Sequence, residues 1–105
     1  MTYDYHAVVI GSGLGGLTAG ALYARAGYRA LVLEKNDAFG GAATVYYRDG
    51  LTVEASLHET TDPRRTADPK GEIFEALDLY DELEFVPVDA VYEVRSALIG
   101  EPIAL

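Results

Sequence analysis

The chain has 105 residues, half of them apolar, a net charge of −9 and no cysteine. That length fits one small domain, and the absence of cysteine excludes disulfides, thiolate nucleophiles and cysteine-ligated metal. The start lacks a signal-peptide pattern and the apolar runs are too short to span a bilayer, so a soluble, cytoplasmic protein is expected, with peripheral membrane contact open to parts outside this sequence.

Residues 3–35 read as a βαβ unit. Tyr5 to Ile10 is the first predicted strand, and its apolar run Ala7-Val8-Val9-Ile10 leads into Gly11, Gly13 and Gly16. A helix is predicted from about Leu14 to Ala26, with Leu17, Ala21 and Ala24 on its packed face and Gly27 as its C-terminal cap. Leu31-Val32-Leu33 is the second strand and ends in Glu34, 18 residues after the third glycine. Glycines at this spacing, between a strand and a helix, with an acid at the next strand end, form a dinucleotide-binding fingerprint. Gly11 makes the tight turn, Gly13 lets a diphosphate approach the backbone, and Gly16 lets the helix pack closely. The expected cofactor contacts from this turn are Gly11, Ser12, Gly13, Leu14, Gly15 and Gly16, through the loop and the first-turn amides. Glu34 is placed to accept hydrogen bonds from ribose hydroxyls. Lys35 follows it, but the retained glutamate argues against a 2′-phosphate ligand.

Asn36 to Gly41 is a polar loop ending in paired glycines. Thr44 to Tyr47 and Leu51 to Ala55 are predicted as a short hairpin about the turn Arg48-Asp49-Gly50. Thr60 to Pro69 reads as an exposed loop and Glu72 to Leu83 as a second helix, with Ile73, Leu77 and Tyr80 on one face. Phe85 to Arg95 is strand-like, and Pro87 argues for an edge or a strand start.

The charge is uneven. Residues 1–53 carry four acidic and four basic side chains, whereas residues 54–93 carry twelve acidic against three basic. The neutral half is the one that would hold a diphosphate. No basic stripe exists, which excludes nucleic acid as a partner. The only histidines, His6 and His58, are 52 residues apart, so no metal site is expected. His6 begins the first strand on the side away from the cofactor and is read as structural. His58 is the one weak candidate for proton chemistry near neutral pH, set against a hydrogen-bonded loop role beside Glu59.

The stretch Val8-Val9-Ile10-Gly11-Ser12-Gly13-Leu14-Gly15-Gly16-Leu17, then Ala21-Leu22, Ala26-Gly27-Tyr28 and Leu31-Val32-Leu33-Glu34-Lys35, resembles the flavin-binding head of the glutathione-reductase-like FAD superfamily. Phe39-Gly40-Gly41 strengthens the likeness to FAD rather than nicotinamide proteins. Within that superfamily the chain is most similar to the phytoene desaturase, carotenoid isomerase and retinol saturase group, with amine oxidases next. That likeness continues through Tyr46 to Glu54, Leu77 to Val88 and Tyr92 to Val94.

The resemblance implies an α/β chain, the N-terminal part of a Rossmann-like FAD-binding domain: a βαβ unit, a hairpin, a helix and edge strands. It implies FAD as cofactor, a parent enzyme acting on an apolar, polyene-like small molecule, and Gly40, Gly41, Ala42 and Thr44 near the diphosphate. Relatives commonly carry a cation where Ala42 stands, and Thr44 offers a hydroxyl instead. Residues 70–105 would begin an extension toward a substrate domain, and several hundred further residues are expected in the parent. Two other readings stay open: a nicotinamide-binding module of a dehydrogenase or regulatory protein, and a non-catalytic domain that retains the fold.

Overall fold

Two apolar tetrapeptides, Ala7-Val8-Val9-Ile10 and Ala30-Leu31-Val32-Leu33, set up the first unit. In the computed structural model, which describes residues 2–56 and 59–104, strand β1 (Ala7–Ile10) and strand β2 (Ala30–Leu33) pair in parallel, with Val9 opposite Val32 and Ile10 opposite Leu33. The ladder runs on past β1, because the Gly11 N–H donates to the Leu33 carbonyl at 2.7 Å. The predicted strand start at Tyr5 is too early by two residues. His6 instead ties the strand bottoms together: its N–H donates to the Arg29 carbonyl at 2.8 Å, and Nδ1 accepts the Arg29 N–H at 3.0 Å. Its ring also meets Tyr28 edge-on, 5.4 Å between centroids, in keeping with a structural role.

Helix α1 (Leu14–Arg25) crosses between the strands and packs on both. Its packed face differs from the expected one: Ala21 and Ala24 are exposed, whereas Gly16 and Gly20 meet the sheet. A Cβ at Gly20 would lie 2.9 Å from Val32 Cγ2, and one at Gly16 would lie 3.3 Å from Val9 Cγ1. Glycines four apart fall on one helical face and bring the helix axis closer to the strands than leucine or alanine would allow. The helix ends in a glycine-based motif. Gly27 has φ +84°, its N–H donates to the Ala24 carbonyl, and the Tyr28 N–H reaches back to Tyr23.

Val9 and Val32 face the helix, so Val8, Ile10 and Leu33 fall on the opposite face of the sheet, where all three are exposed. Ile10 is 87% exposed. Among the described residues no apolar side chain is fully buried. Parallel sheets are ordinarily covered on both faces, so this unit presents an apolar surface where a doubly wound domain has its core.

A 3-10 turn (Gly41–Ala43) leads into the antiparallel hairpin of strands β3 (Val45–Arg48), one residue later than expected so that Arg48 pairs, and β4 (Leu51–Glu54), one residue shorter than expected at its end. Helix α2 covers only Lys70–Ala76, a correction to the predicted span of 72–83. Asp68 starts it: Oδ1 accepts the Lys70 N–H at 2.9 Å, and the carboxylate also meets the Lys70 ammonium at 2.6 Å. Asp78, at φ +53°, stops it, with the Asp78 N–H donating to Glu75 and the Leu79 N–H to Phe74. Past this point the chain is irregular, and Phe74 packs against Tyr80 and Phe85. Only Glu93–Val94 (strand β5) of the expected 85–95 strand is paired, with Ile103–Ala104 (strand β6). The radius of gyration is 18.7 Å, well above the roughly 13 Å of a compact chain this long. Arg25 on α1 and Asp78 after α2 form an exposed ion pair between the two parts. Among the described residues no helix is long and apolar enough to cross a membrane.

Candidate functional site

The turn after β1 is held open by its glycines. Gly11 sits at φ +94°, a backbone region that side chains disfavour. Gly16 lies so close to it that a Cβ there would stand 2.1 Å from the Gly11 carbonyl oxygen. Gly13 and Gly15 have the opposite surroundings: nothing lies within 4 Å of the place a Cβ would take. The third glycine is therefore required by packing, while the space above the second is clear. No side chain caps α1, whose N-cap is Gly13 itself. The first-turn N–H groups of Leu14, Gly15 and Gly16, which helix geometry leaves without intrahelical acceptors, sit at the positive end of the helix dipole.

Glu34, at the end of β2, closes onto this turn. Its Oε2 accepts the Ser12 N–H at 2.9 Å and the Ser12 hydroxyl at 2.5 Å. Its Oε1 accepts the Asn36 N–H and the Asn36 side-chain amide, both at 3.0 Å. The Ser12 hydroxyl above all, then the Asn36 and Ser12 amides, hold the carboxyl at a pKa of about 2. Glu34 is thus an anion at any physiological pH. Ser12 is 2% exposed and is the one buried polar residue among those described.

The paired glycines join the same turn. The Gly40 N–H donates to the Ser12 carbonyl at 2.8 Å, and Gly13 and Gly40 form a parallel bridge. Gly40 adopts φ +109° and Gly41 φ +60°. A Cβ on Gly41 would lie 2.9 Å from Gly13 Cα, so the two glycine elements touch backbone to backbone. The 3-10 turn then places Ala42 outward and exposed, while the Thr44 N–H donates to the Gly41 carbonyl at 3.2 Å. Lys35 is exposed beside Glu34.

The structure therefore gathers Gly11 to Gly16, Glu34, Gly40 and Gly41 at one turn beyond the C-terminal ends of β1 and β2, where α/β sheets carry ligands. His58 lies outside the described residues. Asn36 was missed in the sequence. A short amide two residues beyond a strand-end acid is a local hydrogen-bonding pattern, and that was the available signal. No group of three His, Asp or Glu side chains suited to a metal occurs among the described residues.

The model of the NAD(P)-binding Rossmann-like domain family matches residues 9–78. The chain is 49% identical over 51 residues to all-trans-retinol 13,14-reductase of Macaca fascicularis, a stretch covering 49% of this chain and 8% of that protein. It is likewise 49% identical over 51 residues to prolycopene isomerase 2 of an Oncidium hybrid cultivar, covering 49% of this chain and 9% of the relative. With 4,4'-diapolycopene oxygenase of Methylomonas sp it shares 40% identity over 70 residues, 67% of this chain and 12% of the relative. The match thus spans about a tenth of the length of these relatives.

Proposed function

Because this chain belongs to the NAD(P)-binding Rossmann-like domain family, we propose that it supplies the adenosine and diphosphate half of an FAD site in a flavin-dependent oxidoreductase. The observation that carries this reading is the joining of three elements at one turn: the open space at Gly13, the ionised carboxylate of Glu34, and the Gly40–Gly41 backbone seated on Gly13. In this reading the first-turn amides of α1 and the Gly40–Gly41 backbone receive the diphosphate, and Glu34 receives the ribose hydroxyls. Gly11, Ser12, Leu14, Gly15 and Gly16 shape the loop, and Lys35, Ala42 and Thr44 line its rim.

When bound, a flavin supplies reversible transfer of hydride or electrons, while the protein binds, orients and excludes water. The relatives named above act on retinol, prolycopene and diapolycopene by their names, which supports an apolar, polyene-like substrate for the parent of this chain and a desaturation, saturation or isomerisation reaction. A nicotinamide site is the second reading, favoured by the family description itself and by Glu34, which suits the ribose of either cofactor. An absorption spectrum of the purified full-length protein separates the two: the visible absorption of a flavin, roughly one per chain, is expected. A colourless protein that binds NAD instead would replace the flavin reading with the nicotinamide one.

A further inference from the structure

An ionised carboxylate offers about four lone-pair sites, two on each oxygen. In Glu34 the chain itself fills all four: two donors from Ser12 meet Oε2 and two from Asn36 meet Oε1. The four differ in freedom. The Ser12 and Asn36 N–H groups are fixed by the glycine turn and by the backbone after β2. The Asn36 side-chain amide, at an exposed position, can swing away into solvent, and the Ser12 hydroxyl, in a residue only 2% exposed, can turn about its single Cα–Cβ bond. Two side-chain donors therefore sit on the carboxylate, one per oxygen, matching in number the two hydroxyls of a vicinal diol.

We propose that the Ser12 hydroxyl and the Asn36 side-chain amide are exchangeable stand-ins for a ligand diol, which makes these two side chains specificity-determining residues of the site. The inference rests on the reading of Glu34 as the ribose-facing group. Ligand entry swaps two side-chain donors for two ligand hydroxyls and leaves the two backbone donors in place, so the carboxylate keeps its full complement throughout. A ligand with no hydroxyl at these positions cannot make the swap and gains nothing from Glu34. The diol is thus read in competition with the protein's own side chains.

Competition of this kind has a sign opposite to that of a supporting contact. Removing a stand-in should tighten a diol ligand, whereas removing a supporting contact should weaken it. The test is calorimetric titration of the full-length protein, stripped of any bound flavin, with ADP and with 2′,3′-dideoxy-ADP, in wild type, Asn36→Ala, Ser12→Ala and Glu34→Gln. Asn36→Ala, at an exposed position, and Ser12→Ala, which keeps the backbone donor, should each tighten ADP by roughly three- to tenfold and leave the dideoxy nucleotide unchanged. Weaker ADP binding in both variants, or equal shifts for the two nucleotides, would overturn the exchange while leaving the site reading intact. If Glu34→Gln binds ADP as tightly as wild type, or wild type binds no ADP, the ribose assignment itself fails and the exchange fails with it.

Discussion

Gly41 rests directly on Gly13, so close that a Cβ on Gly41 would stand 2.9 Å from Gly13 Cα. Two glycine elements 28 positions apart in sequence thereby form one continuous backbone wall, sealed by the Gly40 N–H on the Ser12 carbonyl. The contact explains why the second element needs glycine on packing grounds and not only for its φ of +60°. Gly41→Ala should push the two strands of this wall apart. We expect a stability loss of about 1–3 kcal/mol and ADP binding weakened at least roughly tenfold, measured by thermal denaturation and calorimetry on the full-length protein stripped of any bound flavin. Unchanged affinity would show that the wall is not part of the site.

Gly16 and Gly15 make an internally controlled pair. A Cβ at Gly16 collides with the Gly11 carbonyl at 2.1 Å, whereas one at Gly15 meets nothing within 4 Å. Gly16→Ala should cost about 1–3 kcal/mol through forced separation of helix and turn. Gly15→Ala should be neutral or stabilise by up to about 1 kcal/mol, because alanine restricts the unfolded chain and favours helix. Equal melting temperatures for the two variants would contradict the packing described for α1.

The Ser12–Glu34–Asn36 arrangement has a defined pH signature. The folded carboxyl titrates at about 2, below its ordinary value of 4.5. A depressed carboxyl contributes stability that is complete above the unfolded value and is lost as pH falls through the folded one. The contribution of Glu34 should therefore fade between about pH 4.5 and pH 2. Side-chain carboxyl NMR should find Glu34 titrating near the bottom of that window in wild type. In Ser12→Ala, which loses the largest cause of the shift, the titration should move upward. Wild-type titration near 4.5 would show that the Ser12 hydrogen bonds do not persist in solution.

The 105 residues by themselves should bind FAD weakly. No apolar side chain is fully buried among the described residues, and Val8, Ile10 and Leu33 lie exposed on one sheet face. In the proposed reading the glycine turn serves only the adenosine and diphosphate, and the described residues enclose no apolar surface for a flavin ring. Titration of FAD into these residues alone should give no tight, stoichiometric binding, and a sub-micromolar dissociation constant would contradict the expectation.

How much of this was legible in the sequence follows the physics of each element. The βαβ unit was readable because its glycines are required by local geometry: Gly11 and Gly27 hold positive φ, and Gly16 meets a carbonyl. On α1 the close approach at Gly16 was legible, whereas the alanine and leucine periodicity misplaced Ala21 and Ala24, which are exposed. The end of α2 was hidden because Asp78 takes the left-handed position usually filled by glycine, while the apolar spacing of Ile73, Leu77 and Tyr80 runs on past it. The 85–95 segment alternates like a strand, yet most of it finds no pairing partner among the described residues. At the site, the glycines and Glu34 carried their own spacing signal. The part played by Asn36 emerges only once the carboxylate's geometry is known.

The central claim, that the space above Gly13 receives a cofactor diphosphate, is tested most directly by the FAD content of the purified full-length protein carrying Gly13→Val. Nothing lies within 4 Å of a Cβ at this position, so the substitution should leave far-UV helicity largely intact while filling the volume the diphosphate needs. The account predicts roughly one flavin per chain in wild type and none retained in the variant. A folded Gly13→Val protein that still holds stoichiometric FAD would contradict it.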